Sequence, residues 1–338
     1  MGKDTLVSIA EKAGCSVSTV SRVLSGSASK YRISQKTIDR VLKEAEKADY
    51  TPSLLAKGLR TQKTDTIGLV LPSIENTFFA HIASVLVREA KNCNYQIILA
   101  DTQENEENEV RNISTLLARN VDGLVVIPCG SSPEKYNKIL KKGVPIVLMD
   151  RCFLGLDSIS NVSTDNYSGA RLATEHLISK GHRNIVFIQG TPFLYPSKSR
   201  ADGYRDTMKE HGLEQFISVS GDDFSVQNGY IEAKLLLSRK VRPTAIFAGS
   251  NQITLGCIKA IKEAGLKVPE DISLIAFDDN ILFDYLEPGI TCIAQPIEEM
   301  SLLALKILID QIESDSAPVS VLIPPRIVAR NSIKKLQE

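Results

Sequence analysis

Eight short apolar runs organise most of this 338-residue chain. TIGLVLP, YQIILAD, GLVVIP and PIVLMD fall between Thr66 and Asp150, and NIVFIQG, FISVSGDD, TAIFAGS and ISLIAFDD follow Asp165. Their β-branched, unbroken character is that of strands covered on both faces, and amphipathic helical stretches separate them, so the spacing predicts parallel sheets with helical crossovers. Four runs precede the short, linker-poor break at Ser163–Asn166 and four follow it, which gives two α/β lobes with a cleft between them. The tail from Ile290 to Arg330 adds a strand, a helix over Ile297–Ile312 and a final strand, VLIPPRIVAR.

The first sixty residues read differently. In TLVSIAEKAGCSVSTVSRVLSG, Leu6, Ile9, Ala10 and Ala13 recur at the spacing of one buried helix face. Gly14 ends that helix, since a left-handed residue is cheapest without a Cβ, and Ser16 supplies an N-cap for the next. Val20, Val23 and Leu24 face inward there. Val17, Ser18, Ser21 and Arg22 are left together on the outer face, with Thr5, Ser16 and Thr19 counted in the same DNA-facing set. Short side chains, hydroxyls and one guanidinium suit a DNA major groove; an ordinary helical hairpin is the competing reading. A third helix over Ser34–Lys47, with Ile38, Val41, Leu42 and Ala45 inward, closes a three-helix core.

Net charge is zero over the chain, yet residues 1–63 carry 12 Lys/Arg against 6 Asp/Glu, while the remainder carries 28 against 34. A polyanionic partner is therefore expected at the N-terminal end alone. Six scattered cysteines form no CxxC pair and no Cys/His cluster, the four histidines His81, His176, His182 and His211 read as surface or structural, and no apolar run reaches membrane-spanning length. A cytoplasmic protein without cofactor or metal is expected. No GxxxxGK[ST], HExxH or GxSxG is present, so enzymatic readings find no constellation.

In open parallel sheets ligands sit beyond the carboxyl ends of the strands. The residues there nominate a site: Phe78 and Phe79, Cys129, Asp150 and Arg151, Ser197 and Arg200, Asp222 and Phe224, Ser250, Asn251 and Gln252, and Asp278 with Asp279. Aromatic faces with carboxylates, amides and a forked guanidinium suit a polyhydroxylated ligand such as a sugar. Strand-end aspartates can instead cap helices, Arg200 can form an interlobe salt bridge, and the adjacent Phe78 and Phe79 cannot share one helix face, so one of them is assigned to the core.

The run VSTVSRVLSG, followed by YTPSLLAKGLR and TIGLVLP, resembles the lactose repressor/galactose repressor (LacI/GalR) family of bacterial transcription regulators over nearly the whole chain. The resemblance implies a two-lobed periplasmic-binding-protein-like body carrying an all-α helix-turn-helix headpiece: residues 1–49 the headpiece, 50–64 a hinge helix, 65–163 with 294–330 the first lobe, and 164–293 the second. It places Val17, Ser18 and Arg22 at base-reading positions, Leu59 as a wedge in the minor groove, Arg60 as its neighbouring contact, and Phe79, Arg200, Phe224, Ser250 and Asp278 at effector positions. Gly58 and the shortness of the hinge helix predict that it orders only on DNA. Ser250-Asn251-Gln252 departs from the family's Asn-Asp-Gln, and the loop Ser25–Arg32 is a few residues longer than the lactose repressor's. The expected function is an effector-controlled repressor that binds double-stranded operator DNA as a homodimer, the chain ending without a leucine heptad tail. The rival is a transport-type sugar-binding protein, which has no use for residues 1–60.

Overall fold

The structure is a computed structural model that describes residues 5–50, 63–153, 155–314 and 316–336. The chain divides into two compact units, Met1–Thr64 and Asp65–Glu338.

In the first unit three helices close one core: α1 (Leu6–Ala13), α2 (Val17–Leu24) and α3 (Gln35–Lys47). The local signals act as read. Thr5 caps α1 reciprocally with Ser8, Gly14 sits left-handed at φ 61°, and Ser16 and Ser34 accept the Thr19 and Thr37 amides at the starts of α2 and α3. Ile9, Ala13, Val20 and Val41 are fully buried. Leu42, expected inside, is 48% exposed. The three-helix core is only wide enough for the Ile38, Val41, Ala45 edge of α3, and Leu42 lies 100° around the helix from Val41. The hinge helix and the assignments to Leu59 and Arg60 lie outside the described residues.

The second unit holds two six-stranded sheets. The first contains β1 (Thr66–Leu71), β2 (Gln96–Asp101), β3 (Gly123–Val126), β4 (Ile146–Met149), β5 (Ser160–Thr164) and β11 (Ser320–Ile323), in the order β11-β5-β4-β3-β1-β2. The second contains β6 (Ile185–Ile188), β7 (Ser218–Ser220), β8 (Ala245–Ala248), β9 (Ser273–Phe277), β10 (Thr291–Ala294) and β12 (Arg326–Val328), in the order β12-β10-β9-β8-β6-β7. All neighbours are parallel except β12, which runs antiparallel to β10. The two orders superimpose strand for strand, so β4 in one lobe corresponds to β9 in the other.

The inner strands are buried as their composition demands: Val125, Val126, Phe247, Ala248, Ile275 and Phe277 are wholly inaccessible. Two runs expected to be covered on both faces are not. YQIILAD and FISVSGDD form the edge strands β2 and β7, and Leu99 is 38% exposed. Conversely β5 had no apolar signature. Its buried Ser160 is satisfied by the Gln311 side-chain amide at 2.8 Å and the Val319 N–H at 3.1 Å, and Ser163 by the Asp150 carbonyl, so hydroxyls replace methyl groups in that strand.

The expected single final strand, VLIPPRIVAR, is two strands in different sheets. Pro324 and Pro325 cannot donate to a ladder, and there the chain leaves β11 in the first lobe for β12 in the second. The return to the first lobe therefore comprises the helix Ile297–Glu313 and β11, while residues 326–328 pair with β10. The chain passes between lobes three times, near 165, 295 and 324. Among the described residues no helix is long and apolar enough to cross a membrane, and all six cysteines are free.

Candidate functional site

Side-chain caps set most of the helices that begin at the carboxyl ends of the strands. Asn76 opens α4 (Thr77–Asn92), Asn105 opens α5 (Glu106–Ala118), Asp165 opens α7 (Asn166–Ser179), and Ser225 and Ser250 open α9 (Val226–Leu237) and α10 (Asn251–Glu263). In the remaining crossovers, α6 (Glu134–Leu140) and α8 (Tyr195–Glu210) start without one. The cleft is thus floored by strand ends and walled by helix starts from both lobes.

At its centre is a small cavity of about 20 Å³, room for one water-sized group, lined from the first lobe by Asn76, Phe78, Phe79, Asp150 and Arg151 and from the second by Pro196, Arg200, Phe224, Ser250 and Asp278, with Gln295 from the passage between them. Eight of the fourteen residues nominated from strand ends meet here. Phe78 and Phe79 are both buried and edge-to-face at 5.3 Å, and both line the cavity. The expectation that one belongs to the core alone fails because the first turn of α4 points into the cleft.

Cys129 and Gln252 do not reach this cavity; with Asp222 and Phe224 they line a larger adjoining cavity of about 660 Å³. Cys129 is turned toward the Thr102 hydroxyl at 2.7 Å, and burial pushes its thiol up to about 12. Ser197 is wholly buried, its hydroxyl has no partner, and it lines neither cavity. Pro196 takes that place, because one residue along a helix turns the side chain by 100°.

Charge is concentrated and organised. Arg151 is forked onto Glu104 with two bonds of 2.7 Å and donates to the Pro128 carbonyl. Its guanidinium lies 5.4 Å from the Phe79 ring and 5.5 Å from the Phe224 ring, between aromatic groups of opposite lobes. Arg200 donates to Asn166 at 2.8 Å and to the Gly249 carbonyl at 2.7 Å, stacks on Phe277 at 3.6 Å, and stands 3.9 Å from Asp278. That ion pair lies within the second lobe, so the interlobe alternative for Arg200 does not hold. Asp278 accepts from the Gln295 side chain at 2.6 Å and from the Asn251 N–H at 3.3 Å. Asp150 caps no helix: its Oδ1 is buried without a partner. Desolvation pushes its carboxyl up to about 6, with Asp278 adding to the rise and Arg151 and Arg200 opposing it.

Three residues that the strand-end reading omitted complete the arrangement. Gln295 joins the lobes by accepting from Thr164 of β5 at 2.5 Å while donating to Asp278. Asn76 accepts from Asn251 across the cleft at 3.1 Å. Thr77 beside it accepts from Asn251 at 3.1 Å and from Asn280 at 2.9 Å. Asn76 is the N-cap of α4 and Gln295 directly follows β10, and these positions are the local marks they carry.

In the headpiece, Val17 and Ser18 are exposed on the outer face of α2, Ser21 and Arg22 are half-buried there, and Ser16 spends its hydroxyl on the Thr19 amide and on contacts of 2.8 Å with Ser18 and Thr19. Thr5 is committed to its capping exchange with Ser8. Arg22 stacks on the ring of Tyr31 at 3.9 Å.

Residues 5–53 match the family described as bacterial regulatory proteins, lacI family, and residues 174–333 match the periplasmic binding protein-like domain. The catabolite control protein A of Priestia megaterium is 31% identical over 337 residues, 98% of this chain and 99% of its own. The ribose operon repressor of Escherichia coli (strain K12) is 34% identical over 314 residues, covering 91% and 93%. Among solved structures, a LacI family regulator from Enterococcus faecium with bound ribose superposes with a TM-score of 0.72 at 28% identity, over 80% of this chain and 100% of that one. The lac repressor dimer bound to operator and an anti-inducer superposes at 0.87 over 98% and 100%, and at 23% identity it shows the shared fold.

Proposed function

This chain belongs to the lacI family of bacterial regulatory proteins, and from that premise we propose that it is a homodimeric repressor whose grip on a pseudo-palindromic operator is set by a pentose-sized sugar held between its lobes. The observation that carries the effector class is the convergence of Asp150 and Asp278 from opposite lobes, with Arg151, Arg200 and the Phe79 and Phe224 rings around them, beside the adjoining cavity of about 660 Å³ that has the room for a sugar. Carboxylates and guanidinium forks make paired bonds to adjacent hydroxyls, and aromatic faces cover the C–H face of a sugar ring. The ribose-regulated relative and the ribose-bound neighbour support the pentose. Residues 5–53 argue against a plain transport-type binding protein.

On this reading Val17, Ser18 and Arg22 contact bases, with Leu59 and Arg60 at the operator centre, and the relatives, being transcriptional regulators, favour a binding role over catalysis. Sugar and operator bias one body between two lobe arrangements, so each changes the affinity of the other by the same factor. The test is titration calorimetry of the full chain with ribose, glucose and adenine. Micromolar binding of ribose with a matching change in DNA affinity supports the proposal. A nucleobase that binds while sugars do not removes it.

A further inference from the structure

We infer that Tyr31 is a positioning residue for DNA recognition: its ring fixes the guanidinium of Arg22 for readout of one guanine. The inference rests on the reading of α2 as the recognition helix.

Tyr31 lies in the loop between α2 and α3 and is 47% exposed. A tyrosine in a loop of small polar residues would ordinarily be free to swing. Here the loop is nailed down on both sides. Ala28 is buried and Ile33 packs against the three-helix core. The N–H groups of Tyr31 and Ile33 both donate to the Ala28 carbonyl, at 3.3 and 3.1 Å, that of Arg32 donates to Ser29 at 3.1 Å, and Arg32 adopts a left-handed φ of 51°. The same loop grips the other end of Arg22: its carbonyl accepts from the Ser25 hydroxyl at 3.2 Å, the Ser27 hydroxyl at 3.3 Å and the Ser27 N–H at 3.0 Å. Backbone and guanidinium of one arginine are therefore both held by residues 25–31.

The manner of the contact matters. Guanidinium recognition of guanine uses the in-plane N–H fork toward O6 and N7. Stacking on Tyr31 at 3.9 Å uses only the flat face, and among the described residues no hydrogen bond occupies the fork. An unrestrained arginine loses rotamer freedom on binding DNA, whereas one held on a ring has already lost part of it. An exposed cation–π contact corresponds to about two- to five-fold in an equilibrium constant.

The experiment uses the full chain. A preferred duplex is selected from a randomised library. Affinities for it and for each single base-pair change are then measured for the wild type, Arg22→Ala, Tyr31→Leu, Tyr31→Phe and the Arg22→Ala/Tyr31→Leu double variant. Arg22→Ala identifies the base pair it reads. Tyr31→Leu is expected to lower discrimination about two- to five-fold at that base pair and nowhere else, Tyr31→Phe to preserve it, and Tyr31→Leu to add nothing in the Arg22→Ala background. Unchanged discrimination, an equal loss at every position, or an equal further loss without Arg22 overturns the inference. A wild-type chain that selects no sequence overturns the recognition-helix reading instead, and the inference with it.

Discussion

Asp150 and Asp278 occupy the same place in the two lobes. Each directly follows the third strand of its sheet, β4 or β9, each holds a left-handed backbone, with φ of 62° and 72°, and each is only 4% exposed on the wall of one cavity. Their surroundings differ. Asp278 has Gln295 and the Asn251 N–H, whereas Asp150 has an oxygen with no donor and a carboxyl raised to about 6. A left-handed non-glycine residue at matched strand ends is the kind of strain that collects at ligand sites.

Asp150→Asn separates stability from binding. A carboxyl raised from 3.8 to about 6 favours folding below the lower value, and that advantage is lost as pH rises through the upper one. Two units at about 1.36 kcal/mol each amount to about 3 kcal/mol. Thermal unfolding without ligand should show the variant more stable than wild type at pH 7.5, with the gap closing below about pH 4. Calorimetry should show sugar binding at least about ten-fold weaker, because a charge-assisted bond contributes roughly 1.5–3 kcal/mol. A destabilised variant that binds sugar normally would contradict both parts.

Gln295→Met keeps the volume and removes both bonds, to Thr164 and to Asp278. Sugar affinity should fall about 10- to 100-fold, while DNA affinity without sugar stays within two-fold of wild type. Gel shifts with and without ribose measure the two together.

Thr77→Val removes the acceptor shared by Asn251 and Asn280 across the cleft. At about 1 kcal/mol for each neutral bond, the loss moves the closed–open balance toward open by about 5- to 30-fold. Small-angle scattering of the sugar-free protein should report a larger radius of gyration, which added sugar reverses. An unchanged radius would mean that these bonds do not hold the lobes together.

His182 is 1% exposed, with Nδ1 against the Thr244 hydroxyl at 3.0 Å and Nε2 against the Lys334 carbonyl at 3.1 Å. Burial holds its pKa below the ordinary 6.5, so below about pH 6.5 the unfolded chain takes up a proton that the folded one refuses, and stability falls as pH drops. His182→Gln should flatten this part of the melting-temperature profile between pH 7.5 and 5.5. An identical slope in the variant would assign the pH dependence elsewhere.

The parts of this protein whose physics is local were legible in the chain alone. An unbroken run such as GLVVIP reads as a strand, the 3.6-residue spacing through Ile9 and Ala13 with Gly14 after it makes a helix and its stop, and the carboxyl ends of parallel strands are where Asp150, Arg200 and Asp278 had to be sought. Tertiary structure alone decided the rest. The polar strand Ser160–Thr164 and the bridge from Thr164 to Gln295 rest on partners far apart along the chain, 131 residues in the second case, and packing decides which sheet takes each half of VLIPPRIVAR and which of Pro196 and Ser197 meets the cavity. Hydrogen bonds that close only after two lobes have packed leave no periodicity behind them, because each partner taken alone is an ordinary polar residue whose burial is fixed by the other.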